Sequence, residues 1–170
     1  DRLYIDKNYK WGLRLGVSSG NNREINYNTI DNKQVFYRDP NRYVRKFTNS
    51  FFELTYRPAT KTRHSFGVGY STENVIDTVQ NLNPQFYKGG YKSIRFPEVY
   101  YSMLYFNLDY IPYPTTGYAA EINISKRGFN NKMNMSELRV KGLGVWPILP
   151  RTFISLSVFG DLKLPFRQPY

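Results

Sequence analysis

Side chains with the capacity for covalent chemistry are few in this 170-residue chain. There is one histidine, His64, set between Arg63 and Ser65, and there is no cysteine. A Ser–His–acid relay would rest on His64 alone, and the lack of Cys removes disulfides, thiol nucleophiles and Cys-ligated metals together. Hydrolysis by paired carboxylates needs two acids at a set separation, and the acids in loop-like places are Asp6, Asp31, Asp39 and Glu98. The 13 Asp and Glu are dispersed, with no His/carboxylate cluster at metal-ligand spacing. No glycine-rich loop precedes a helix; Gly67/Gly69 and Gly142/Gly144 read as inward-facing or bulge glycines of strands. The expectation is a protein that is not an enzyme, with no catalytic residues, no metal and no cofactor.

The elements around these residues read as strands. Over 9–18, Trp11, Leu13, Leu15 and Val17 alternate with Gly12, Arg14, Gly16 and Ser18. Residues 20–33 are Asn-rich and polar, a long surface loop with a short strand end at 34–37. A turn at Asp39-Pro40-Asn41 leads to a strand over 43–57, and residues 58–61 suit a hairpin. The strand at 63–71 sets Phe66, Val68 and Tyr70 against Ser65, Gly67, Gly69 and Ser71, and 72–97 reads as a second long loop. From Tyr100 the alternation is cleanest. Leu104, Phe106 and Leu108 oppose Tyr105, Asn107 and Asp109, a Pro-Tyr-Pro-Thr-Thr-Gly turn reverses the chain at 112–117, and further strands follow at 118–125, 135–145 and 152–162. Residues 146–151 read as a turn that puts Trp146 at a membrane interface. The count is about eight strands, each near ~9–11 residues, with no helix of consequence and one domain over residues 1–170.

Composition bounds where such strands can live. The chain has 16 Tyr, 12 Phe and 2 Trp, yet only 41% hydrophobic residues and a mean hydropathy of -0.58. That balance suits a wall with apolar residues on one side, aromatic girdles at its ends and a wet interior; a soluble β-sandwich is compatible with composition alone. No run approaches the ~20 apolar residues of a membrane-spanning helix, and residues 1–4 open no basic-then-apolar leader. The net charge of +11 is spread over Arg42, Arg45, Lys46, Lys61, Arg63, Lys126, Arg127 and Lys132, near expected strand ends. Such an excess fits nucleic acid, an anionic membrane surface, or a piece whose compensating part lies elsewhere. No nucleic-acid signature accompanies it, so nucleic acid is not an expected partner.

Residues 109–170 resemble the second half of the barrel in the BamA/TamA outer-membrane assembly proteins, the bacterial surface-antigen superfamily. The matching pieces are a strand ending in Asp109, the turn Tyr113-Pro114-Thr115-Thr116-Gly117, a long hairpin, and Phe159-Gly160-Asp161 followed by Leu164-Pro165-Phe166. In that family the Leu/Met-Pro-Phe segment lies just ahead of a loop whose Arg-Gly-aromatic motif folds into the lumen. The abundant Asn, Lys and Tyr look similar to members from the Bacteroidetes. The resemblance implies an all-β antiparallel meander forming part of a transmembrane outer-membrane β-barrel. Since the family's barrel has about sixteen strands and needs closure, the chain is expected to be a fragment or a divergent small barrel.

What the resemblance implies for function is an outer-membrane β-barrel that assists insertion, assembly or translocation of outer-membrane proteins without covalent chemistry. The alternative is a passive, porin-like channel or a structural barrel anchoring a complex. The implied location is the bacterial outer membrane. The implied partners are its lipid and lipopolysaccharide, unfolded outer-membrane protein clients, and other subunits of an outer-membrane complex. Asp109, Pro114 and Gly117 would set the turn and register; Gly160, Asp161, Pro165 and Phe166 would hold the approach to the lumenal loop.

Overall fold

The computed structural model describes residues 4–87 and 89–165. Among the described residues nine strands and one short helix follow one another: β1 (Trp11–Asn22), β2 (Glu24–Ile30), β3 (Lys33–Arg38), β4 (Arg45–Ala59), β5 (Thr62–Val75), α1 (Asp77–Leu82), β6 (Ser93–Leu108), β7 (Gly117–Asn130), β8 (Met133–Leu149) and β9 (Thr152–Leu164). Seven of them form one antiparallel sheet in the order β1-β4-β5-β6-β7-β8-β9, and β2 and β3 pair as a separate hairpin. The protein is thus an all-β antiparallel meander with a hairpin inserted between its first two neighbours.

Period-two patterning produced the sheet, and the differences from the expected strands have local causes. Residues 20–33 are not a plain loop: Asp31 and Asn32 both adopt positive φ, 50° and 59°, the conformation of a two-residue hairpin turn that Asp and Asn tolerate. That turn folds 24–38 into β2 and β3. Within 72–97, β5 continues to Val75 and β6 begins at Ser93, leaving only 76–92 as a connection that holds α1. The sheet strands run to 12–17 residues, longer than expected. Trp146 and Pro147 lie inside β8, paired with Ile154 and Phe153, so the tight turn is only Pro150 and Arg151, the latter at φ 66°.

The two ends of the sheet differ. At one end lie the connections 60–61, 109–116 and 150–151; at the other lie the β2–β3 hairpin, the α1 segment and the two-residue β7–β8 turn at 131–132. The apolar core sits at this second, elaborated end. Val44, Val75, Val79, Tyr87, Ile94, Phe96, Met133 and Met135 form it, with Ile25, Tyr27 and Tyr37 of the hairpin packed against it. Asn83 ties the two connections together, its Nδ2 donating to the Tyr27 carbonyl at 2.7 Å. Among the described residues no second layer covers the rest of the sheet. The accessible surface is 12017 Å², against about 8,700 Å² for a compact folded monomer of 20.1 kDa.

Candidate functional site

Register sorts every strand residue onto one of two faces. One row across all seven strands reads Leu13, Leu54, Phe66, Tyr101, Ile124, Leu138, Leu162. The row beside it reads Trp11, Tyr56, His64, Met103, Ile122, Val140, Gly160. The opposite face carries the row Arg14, Glu53, Gly67, Tyr100, Ser125, Glu137, Lys163. Exposure runs against the usual sense: Phe66, Val68 and Tyr70 are 49%, 52% and 48% exposed, while Ser65, Glu53 and Glu137 are at 8%, 9% and 9%. A protein that buries carboxylates and presents a continuous apolar face inverts the ordinary partition of side chains.

On the ionic face the carboxylates are paired. Every Asp and Glu of the seven strands lies there, namely Glu53, Glu73, Glu98, Glu121, Glu137 and Asp161. Arg45 grips Glu73 through Nε at 3.0 Å and Nη2 at 2.5 Å, and Tyr87 adds its hydroxyl at 3.0 Å. Arg127 meets Glu98 at 2.9 Å and Lys141 meets Glu121 at 3.4 Å. Arg139 reaches Glu137 at 2.5 Å and Asp161 at 3.4 Å, and Lys163 reaches the same two acids at 3.9 and 3.7 Å. Arg14 approaches Glu53 at 3.5 Å, and the Tyr100 hydroxyl donates to Glu53 Oε2 at 3.0 Å. This last bond crosses β5, and it can because Gly67 leaves the space that the Tyr100 ring occupies; a Cβ there would overlap the ring. Such pairing offsets the cost of drawing a carboxylate out of bulk water, a cost moderated here because the cations remain partly exposed.

The residues considered for catalysis are placed apart. His64 lies on the apolar face, stacked at 6.3 Å on Tyr56 and at 6.1 Å on Tyr101, and its Nδ1 is 2.9 Å from the Tyr101 hydroxyl. Asp31 is at the tip of the β2–β3 hairpin and Asp39 just beyond its base, roughly 20 Å away at ~3.3 Å per residue. Asp6 accepts from the Lys10 and Trp11 amides at 2.9 and 2.7 Å, and Glu98 is held by Arg127. Asp39 accepts from the Asn41 and Arg42 amides at 2.9 and 3.0 Å and from Arg42 Nε at 3.1 Å; the Asn41 amide foremost keeps its carboxyl below the usual range. Among the described residues no group of three or more His, Asp and Glu lies together as a metal site. Gly142 and Gly144 lie on the apolar face with Val140 and Trp146 in unbroken register, so neither is a bulge glycine; Gly67 and Gly69 are on the ionic face.

The residues singled out by the resemblance fall into separate groups. Asp109, Pro114 and Gly117 share the β6–β7 turn. The Asp109 carboxylate accepts from the Thr115 hydroxyl at 2.5 Å and from the Thr115 and Thr116 amides at 2.9 and 3.2 Å, while its own amide donates to the Thr116 carbonyl at 3.2 Å. Pro114 is half-buried within the turn, and Gly117 starts β7 at φ 117°. Asp161 and Gly160 sit in the edge strand β9, the first on the ionic face against Arg139 and the second on the apolar face opposite Val140. Pro165 follows β9 through a cis peptide bond, and Phe166 lies outside the described residues.

Hydrogen bonds to the charged form, that from the Thr115 hydroxyl foremost, hold the Asp109 carboxyl well below the usual carboxylate range. A depressed folded-state value means the carboxylate's contribution is complete above the unfolded value of about 3.9 and is lost as pH falls through the folded one. Asp109→Asn should therefore lower the unfolding midpoint at pH 7. The gap to the parent should begin to close only below about pH 4; a gap that disappears between pH 5 and 7 would show that another group carries it.

The class these observations define is an all-β protein whose seven-stranded antiparallel sheet is apolar and exposed on one face and ion-paired on the other. Comparison with protein-family models, curated proteins and solved structures finds no match to the chain.

Proposed function

We propose that this sheet is part of the wall of a transmembrane β-barrel in the bacterial outer membrane, with the apolar face toward lipid and the ionic face toward the lumen. One observation carries the reading: across the inner strands β4 to β8 the apolar face is the more exposed one, while the carboxylates are the sheltered, paired groups. Strands of 12–17 residues reach roughly 40–55 Å, and tilted by ~45° they cross roughly 28–40 Å, against ~30 Å of hydrocarbon. The two longest connections lie at the same end of the sheet, as the long loops of outer-membrane barrels do. β1 and β9 are the edges of an odd-numbered antiparallel sheet and so run in the same direction. A closed, wholly antiparallel wall therefore takes an odd number of further strands, since an edge in lipid must find a partner.

Within that frame the work is insertion, assembly or translocation of outer-membrane proteins, of the BamA/TamA kind, by noncovalent means. Its partners would be unfolded barrel clients, subunits of an outer-membrane complex, and lipid. The second reading, a passive channel or anchoring barrel, draws on the ionic face, which would line water. Against an open pore stands the apolar core: Ile94, Phe96, Met133 and Met135 project from the ionic face at the elaborated end, and Val79 and Tyr87 cover them. Proteoliposomes holding the protein as extracted from membranes should speed the appearance of the heat-modifiable, folded form of an unfolded barrel client, without stepwise ion current in planar bilayers. Steady ion-selective current with no effect on client folding would replace the assembly reading by the channel.

A further inference from the structure

Followed from the end that carries the β4–β5 turn to the elaborated end, the apolar face changes character in the same way on three strands. On β4 it reads Tyr56, Leu54, Phe52, Ser50, Thr48, Lys46; on β6, Tyr105, Met103, Tyr101, Val99, Pro97, Arg95; on β7, Tyr118, Ala120, Ile122, Ile124, Lys126. On β6 and β7 the apolar run passes directly to a cation, and on β4 Ser50 and Thr48 come before it. The strands beside them end in neutral hydrogen-bonding groups: Asn21 and Asn74 face Lys46, Thr72 faces Arg95, and the Ser136 hydroxyl lies 3.1 Å from Lys126 Nζ. The opposite end of the same face is finished by uncharged rings, Trp11, Tyr56, Tyr105, Tyr118 and Trp146.

No acid accompanies these cations. All six strand carboxylates are on the other face, and among the described residues no ion pair involves Lys46, Arg95 or Lys126. Cations beside an apolar band, with hydroxyl and amide neighbours in place of carboxylates, match an anion held at the border of hydrocarbon, where phosphate meets both the charge and the neutral donors.

We propose that Lys46, Arg95 and Lys126 form a collar that binds the phosphate groups of lipopolysaccharide in the leaflet at the elaborated end of the sheet. The assignment rests on the membrane reading above. Lipopolysaccharide is the occupant because the elaborated end of such a barrel faces outward, and because the cations sit on three strands, β4, β6 and β7, with β5 between the first two, a spacing suited to a wide, multiply phosphorylated saccharide rather than to one small headgroup.

The test uses the membrane-extracted protein in zwitterionic detergent, titrated with lipopolysaccharide, phosphatase-treated lipopolysaccharide, phosphatidylglycerol and inorganic phosphate. At about fivefold per basic residue, Lys46→Gln/Arg95→Gln/Lys126→Gln should bind lipopolysaccharide roughly 100-fold more weakly. Lys46→Arg/Arg95→Lys/Lys126→Arg should stay within about threefold of the parent, which separates lost charge from lost fold. Phosphatase treatment should weaken the parent as the neutral variant is weakened. Unchanged binding by the neutral variant overturns the collar, and phosphatidylglycerol bound as tightly with the same loss overturns lipopolysaccharide as its occupant. Flotation with phosphatidylcholine vesicles is read in parallel. Parent protein that does not float sinks the membrane reading; parent and variant that both float without differing toward lipopolysaccharide sink the collar alone.

Discussion

Val140→Arg should abolish or severely reduce recovery of the folded, vesicle-inserted protein. Val140 is in the middle of the apolar face of β8, between Ile122 of β7 and Gly160 of β9, and is 40% exposed. If that exposure is to lipid, an arginine near mid-depth costs about 2–4 kcal/mol, roughly 30- to 1,000-fold in the insertion equilibrium. If it is to water, the same change is a surface substitution worth within about 0.5 kcal/mol and should improve solubility. The two environments thus predict opposite results for one side chain. The measurement is the heat-modifiable fraction after refolding into phosphatidylcholine vesicles, with Thr60→Arg in the short β4–β5 turn as the matched control. Full recovery of both variants, with protein left in the supernatant, would make the sheet a soluble one.

The alternation that underlies this result was readable in the chain because period two is a local signal: Phe66, Val68 and Tyr70 against Ser65, Gly67 and Gly69 needs no knowledge of neighbours. The long segments were harder. Residues 20–33 are polar throughout, and only the paired positive φ of Asp31 and Asn32 makes a hairpin of them. That signal was weak because Asp-Asn lacks the glycine that marks such turns most strongly. In 72–97 the ends of β5 and β6 are polar because they rise beside the elaborated connections, and lost hydropathy hid continued pairing such as Thr72 with Arg95.

The ionic face was legible only in part. The polar parity of Glu53, Glu98, Glu121 and Glu137 follows from the same alternation, but which cation meets which acid depends on register between strands, and no single strand encodes it. A usable signal was one carboxylate per strand in six consecutive neighbours, from Glu53 to Asp161, with Arg139 two residues after Glu137 so that both share a face. The collar escaped for the related reason that Lys46, Arg95 and Lys126 are unremarkable singly. They become a group only once β4, β6 and β7 are placed, with the acids all on the far side. The expectation that basic residues gather at strand ends described Lys46 and Lys126 without distinguishing them from Arg45 and Arg127, one position away and on the opposite face, paired with Glu73 and Glu98.

Gly117→Val should cost at least about 3 kcal/mol and deplete the folded form. Gly117 has φ 117°, a backbone state that L residues rarely adopt, and a Cβ built on it would overlap the Asn107 carbonyl oxygen and press on Leu108 Cα at 3.0 Å. These are backbone atoms of the paired strand, so no side-chain rotation relieves the overlap; the β6–β7 register must open where Leu108 faces Gly117. The damage would spread, because the Asp109 carboxylate holds the Thr115 and Thr116 amides only while the turn keeps its shape. Gly117→Val should therefore be non-additive with Asp109→Asn, the second change adding little once the turn has opened. Gly160→Val provides the contrast: nothing lies within 4 Å of a Cβ at that position, and its φ is not positive. Heat-modifiable migration and unfolding midpoints of the two valine variants decide the matter. Equal losses would trace the effect to β-branched bulk in a strand, whereas a loss confined to Gly117→Val would fix the β6–β7 turn as the element on which the register of the sheet depends.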